Sequence, residues 1–132
     1  MRYMKLLAGV ILALCMILTF ASCGASEEGG GGYMRITAED AKKIMDSGNE
    51  YVILDVRTQE EYDEKHIPDS VLIPDYEIEE QAEKVLTDKD QTILVYCRSG
   101  NRSRTASEKL IGMGYTDVKD FCGINDWPYE TE

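Results

Sequence analysis

Cys97 heads the stretch Cys97-Arg98-Ser99-Gly100-Asn101-Arg102, which lies between an apolar run, Thr92 to Tyr96, and a helix-like run that begins near Ser103. A thiol there would end a buried strand and face the amides of a tight loop and the positive end of a helix. It should ionise more readily than a free cysteine, and the thiolate is the nucleophile. Arg98, Arg102 and Arg104 are three of the five arginines after residue 22, so an anion would be held beside the sulfur. The loop has the parts to bind an anion and attack it.

The flanking pattern alternates strands and helices. Tyr33 to Ile36 reads as a short first strand, and Thr37 then caps a helix over 38–47, with Asp40 three residues on and Gly48 at its end. Tyr51 to Val56 is a continuous apolar strand; Thr58 with Glu61 forms a capping box that opens a short helix to about Glu64. Val71 to Ile73 is a third strand, 77–86 a helix with Ile78, Ala82, Val85 and Leu86 on one face, and Thr92 to Tyr96 the central strand. A helix marked by Ala106, Leu110, Ile111 and Met113 follows the loop, and Val118 to Phe121 is the last strand. Strands this apolar, interleaved with helices, predict an α/β fold: a mostly parallel sheet of about five strands, covered by helices on both faces. Such sheets place their binding crevice at the carboxyl ends of the strands, where Cys97 falls.

Ahead of the domain, Arg2 and Lys5 precede fifteen largely apolar residues, Leu6 to Phe20, then Ala21, Ser22 and Cys23. This is the pattern of a secretory signal over 1–22. Gly24 to Gly32, with four consecutive glycines, reads as a flexible tether, leaving 33–132 as one domain without an internal repeat. The chain carries a net charge of −11, and losing the two cations of the signal takes it to −13. A surface this acidic argues against nucleic acid as a partner. Small anionic substrates meet the same field, but salt screens it over roughly 8–10 Å and leaves the local arginines to decide.

The segment Cys97 to Ser103 resembles the active-site loop of rhodanese-like sulfurtransferases. Leu54-Asp55-Val56-Arg57, Glu60-Glu61-Tyr62, His66-Ile67-Pro68 and Ile73-Pro74 resemble that family's first block in order and spacing. Gly123-Ile124-Asn125-Asp126-Trp127-Pro128 resembles its C-terminal turn. The likeness spans about residues 34 to 130. It implies a three-layer fold and a sulfurtransferase that moves sulfane sulfur from thiosulfate or a persulfide to a thiol or cyanide through a persulfide on Cys97, with no cofactor or metal. The loop residues Arg98, Ser99, Gly100, Asn101, Arg102 and Ser103 would bind the donor, with Arg98 and Arg102 holding its oxyanion. Cys23 after Phe-Ala-Ser resembles the lipobox of bacterial lipoproteins, although Phe20 replaces the usual Leu. It implies an exported, lipid-anchored protein facing outside the cytoplasm; the alternatives are a signal cleaved nearby and a retained anchor.

The remaining chemistry-bearing residues have bland readings beside sharp ones. Asp55 and Arg57 end a strand on the side of the active loop, as an ion pair that braces it or shapes the crevice. His66 reads as a hydrogen-bonded turn histidine ahead of a general base, and Trp127 as a plug at the rim ahead of a substrate platform. Cys122 stands where the family commonly has glycine. It is either a small buried filler or a resolving thiol for Cys97. Two rival functions stand beside sulfurtransfer. A phosphatase or arsenate reductase would want five residues between Cys and Arg, and here Ser103 stands at that position and Tyr96, in place of His, precedes the cysteine. A sulfur-carrier or sensing module would retain Cys97 without high turnover.

Overall fold

The structure, a computed structural model, describes residues 32–132. The export segment, Cys23 and the tether up to residue 31 lie outside the described residues. Five parallel strands pair in the order β1-β5-β4-β2-β3: β1 (Met34–Arg35), β2 (Val52–Asp55), β3 (Val71–Leu72), β4 (Thr92–Cys97) and β5 (Asp117–Gly123). β4 sits at the centre because it is apolar on both faces; Ile93 through Cys97 are all buried. A parallel strand must be covered above and below, and a run without polar alternation suits only that position.

The helices are α1 (Ala38–Asp46), α2 (Gln59–Glu64), α3 (Ile78–Val85) and α4 (Asn101–Gly112). Ile78 and Ala82 of α3 and Ala106 and Leu110 of α4 pack with Leu54, Val95 and Cys97 on one side of the sheet. Ala41 of α1 packs with Ile53, Leu94, Tyr96, Phe121 and Trp127 on the other. The expected parallel, two-faced α/β architecture is the one observed.

Local signals explain most boundaries. Thr58 and Glu61 cap α2 reciprocally, whereas Thr37 accepts the Asp40 amide without a returning bond from a side chain. α4 corrects the sequence expectation, because it begins at Asn101 and not near Ser103. Its N-cap is Gly100 at φ +106, which offers no side-chain cap, so the usual Ser/Thr/Asp start signal is absent. Ser103 instead lies inside the first turn, fully buried. Asn101, Arg102 and Ser103 are therefore helical residues, and the loop proper is only Arg98 to Gly100. In register, Asp55 lies beside Tyr96 and Cys97 beside Gly123, with a β-bulge between Val95 and Cys97. The chemistry-bearing residues thus gather along the carboxyl edge of β2, β4 and β5.

Candidate active site

The Cys97 sulfur sits between two peptide groups. The Gly100 amide donates to Sγ at 3.0 Å, a contact that would stabilise negative charge on sulfur. Across from it, the Cys122 carbonyl lies 3.7 Å from Sγ, close enough to accept a thiol proton. Ser103 Oγ is 3.2 Å from both the Gly100 and the Cys122 carbonyl oxygens, with one hydrogen to share. The loop is seated on Gly123: a Cβ there would stand 2.1 Å from the Arg98 carbonyl oxygen and 2.7 Å from the Ser99 amide nitrogen. Only glycine permits that approach. The Asn125 amide then donates to the Arg98 carbonyl at 3.2 Å.

Cys97 is 1% exposed. An open nucleophile facing a crevice is the expectation; the residue instead lies buried, with its sulfur between the Gly100 amide and the Cys122 carbonyl.

The arginines divide. Arg98 and Ser99 are exposed, and Arg98 lines a cavity of about 280 Å³ together with Arg57, Lys65, Glu61 and Asn125. Arg102, expected to hold an oxyanion, is held by Glu61 in a two-pronged pair at 2.8 and 2.9 Å. That pair, together with the Thr58 amide, pulls the Glu61 carboxyl down to about 2. Arg104 and Asn101 are exposed on α4.

Asp55 and Arg57 pair at 2.7 Å, both essentially buried. Arg57 also donates to the Lys65 carbonyl at 2.6 Å. The Tyr96 hydroxyl donates to Asp55 Oδ2 at 2.7 Å and accepts the Ile67 amide at 3.1 Å. Burial foremost, with Asp55 alongside, raises the Tyr96 phenol above its ordinary range, so it stays a neutral donor. This network ties β2, β4 and the turn before β3 beneath the edge that carries Cys97.

His66 Nδ1 lies 2.9 Å from the Tyr62 carbonyl, and its ring stacks on Tyr62 at 3.9 Å. Trp127 packs against Phe121 and Tyr129. Cys122 is a free, half-buried thiol, as Cys97 is also free. Burial outweighs the nearby Arg35 and, with Asp120 and Asp126, raises the Cys122 thiol, which makes it a poor attacking group at neutral pH.

Two residues at the site escape sequence reasoning. Arg35 of β1 donates to the Gly100 carbonyl at 3.1 Å and to Asp120 Oδ2 at 3.2 Å. Asp120 is fully buried in β5, and burial raises its carboxyl against the opposing bonds from the Cys122 amide and Arg35. Only the tertiary fold brings them to Gly100, and no local spacing announces it.

A family model described as "Rhodanese-like domain" matches residues 37–128. Thiosulfate sulfurtransferase PspE of Escherichia coli is 38% identical over 73 residues, covering 55% of this chain and 70% of that protein. Thiosulfate sulfurtransferase GlpE of Pseudomonas savastanoi is 35% identical over 91 residues, covering 69% of this chain and 82% of that one. Putative sulfur carrier protein YrkF of Bacillus subtilis is 37% identical over 108 residues, covering 81% of this chain but 57% of that one. The chain spans only 23% of the adenylyltransferase and sulfurtransferase UBA4 of Candida albicans, at 33% identity. Among solved structures, a rhodanese with anions from E. coli superposes with a TM-score of 0.60 at 34% identity, covering 63% of this chain and 98% of that one. A rhodanese-related protein from Thermoplasma volcanium gives 0.63 at 31% identity, covering 74% and 96%. With the matched segment running from the cap of α1 through the turn beyond β5, the chain belongs to the rhodanese-like domain family.

Proposed function

We propose that this protein is a sulfurtransferase that carries sulfane sulfur on Cys97. The observation that carries the reading is the Gly100 amide aimed at Cys97 Sγ from 3.0 Å at the start of α4. The thiolate attacks the outer sulfur of thiosulfate and forms the new S–S bond. Sulfite leaves with the electrons of the broken one. The product is a cysteine persulfide anion, whose charge moves one atom outward and stays beside the same amide and helix terminus. A thiol or cyanide then takes the outer sulfur and restores the thiolate. Arg98, exposed in the loop that follows Cys97, is the cation assigned to the donor's oxyanion; Arg102 joins only by leaving Glu61. An external acceptor suits the transfer better than Cys122, because the raised Cys122 thiol is a weak internal nucleophile.

The likeness to the relative named putative sulfur carrier protein YrkF supports a second reading, a sulfur carrier that loads once and delivers to a partner with low turnover. Steady-state assays with thiosulfate and cyanide, run beside an aryl phosphate, separate the readings. Thiocyanate formation supports the enzyme, and loading without turnover supports the carrier. Phosphate release without sulfur transfer would overturn both. Attachment to a membrane through Cys23 and exposure outside the cytoplasm belong to the same proposal and rest on the sequence of residues 2–23. Incorporation of labelled fatty acid, lost in Cys23→Ala, tests them.

A further inference from the structure

We propose that Arg35 and Asp120 form a positioning clamp that aims both peptide groups flanking the Cys97 sulfur. This deepens the sulfurtransfer reading and rests on it for its kinetic consequence alone. Gly100 and Cys122 stand on either side of Sγ, and both have left-handed backbones, with φ +106 and +73. For Cys122 that conformation is disfavoured by about 1–2 kcal/mol, so something must hold it. Each residue is pinned through one polar group and presents the other to the sulfur. Gly100 gives its carbonyl to Arg35 at 3.1 Å and its amide to Sγ at 3.0 Å. Cys122 gives its amide to Asp120 Oδ1 at 2.9 Å and turns its carbonyl to Sγ at 3.7 Å. Arg35 and Asp120 close the ring through their own contact at 3.2 Å.

The clamp is asymmetric in a way that fits this role. The Arg35 terminal nitrogen serves both partners, while its Nε is buried without a hydrogen-bond partner among the described residues. Retaining a buried unsatisfied donor is unfavourable, so the side chain is held for what its outer end does. Asp120, buried and charged, needs that cation beside it. The clamp also spans the sheet edge: β1 supplies Arg35, β5 supplies Asp120, and the loop between β4 and α4 supplies the target. Glu108 and Arg104 of α4 act together with Arg35 and Asp120 on the neighbouring Tyr33, and Asp126 beyond β5 acts on Cys122.

The test uses the intact domain as wild type, Arg35→Gln and Arg35→Lys. Single-turnover sulfur loading from thiosulfate is followed by intact mass, and the Gly100 amide proton by NMR. Gln should slow loading at saturating donor by about tenfold, less than the loss on deleting a direct oxyanion donor, with the half-saturating donor concentration unchanged. The Gly100 amide resonance should shift as its bond to sulfur lengthens. Lys, whose ammonium also offers several hydrogens to both acceptors, should restore most of both signals. Asp120→Asn, which keeps shape and loses charge, should move the Gly100 and Cys122 amides together. An Arg35→Gln protein that loads at the wild-type rate with an unmoved Gly100 amide overturns the clamp. So does one whose only change is a lower melting temperature. If wild type itself fails to load, the sulfurtransfer reading falls, and the amide shifts alone decide the clamp.

Discussion

Glu61 and Arg102, 41 residues apart, face each other in a two-pronged ion pair at 2.8 and 2.9 Å that fastens α4 to α2. Glu61 has two tasks at once, because the same carboxylate accepts the Thr58 amide in the capping box of α2. The clasp fixes the first turn of α4, from which the loop beside Cys97 departs.

The pair predicts an acid-sensitive contribution to stability. The Glu61 carboxyl falls from 4.5 to about 2 in the folded state. A depressed carboxyl contributes above its unfolded value and loses that contribution as pH falls through its folded one. Urea unfolding should therefore show Glu61→Gln less stable than wild type by about 1 kcal/mol near neutral pH, since the pair is partly solvated. The gap should narrow between about pH 4.5 and pH 2. A gap that is constant across this range contradicts the assignment.

Asp55 predicts a larger loss. Replacing it with Ala leaves the Arg57 guanidinium buried without its carboxylate and removes the acceptor of the Tyr96 hydroxyl. Stranding one member of a buried pair costs about 3–5 kcal/mol, against a total of about 5–15 kcal/mol for a domain. Chemical denaturation of Asp55→Ala should show a midpoint near collapse, while Tyr96→Phe, which loses only the hydroxyl, should cost about 1–3 kcal/mol.

Gly123 predicts a defect of the loop that exceeds its effect on the fold. A methyl group at residue 123 would meet the Arg98 carbonyl at 2.1 Å, and that neighbour is backbone that cannot rotate away. Gly123→Ala should push the segment Arg98 to Gly100 off its seat and lower sulfur loading at least tenfold, by analogy with loss of a single oxyanion donor. Circular dichroism should still report a folded sheet.

Cys122 predicts the opposite sign. Its φ of +73 suits glycine, so Cys122→Gly should raise stability by about 0.5–1 kcal/mol once the entropy of the more flexible unfolded chain is deducted. Thermal unfolding reads it directly, and a fall in midpoint would show that the side chain contributes more by packing than the backbone loses by strain.

The sequence carried the sheet because its information is local: the apolar runs of β2 and β4, the Thr58–Glu61 box and the loop sequence at Cys97 are each legible within a few residues. It missed what the fold brings together from afar. Arg35 lies in a two-residue strand and meets Gly100 and Asp120 across 65 and 85 positions. Arg102 looked free for substrate because its partner lies two helices and 41 residues upstream. The early start of α4 was hidden because a left-handed glycine caps it without a side-chain signal. Nor did the loop residues announce that Cys97 would be buried.

The central claim is that Cys97 itself carries transferred sulfur. Intact-mass analysis after incubation with thiosulfate should show the gain of one sulfur atom, removed by cyanide and absent in Cys97→Ala. A wild-type protein whose mass does not change with thiosulfate or any other sulfane donor, or a Cys97→Ala variant that gains the same mass, would contradict it.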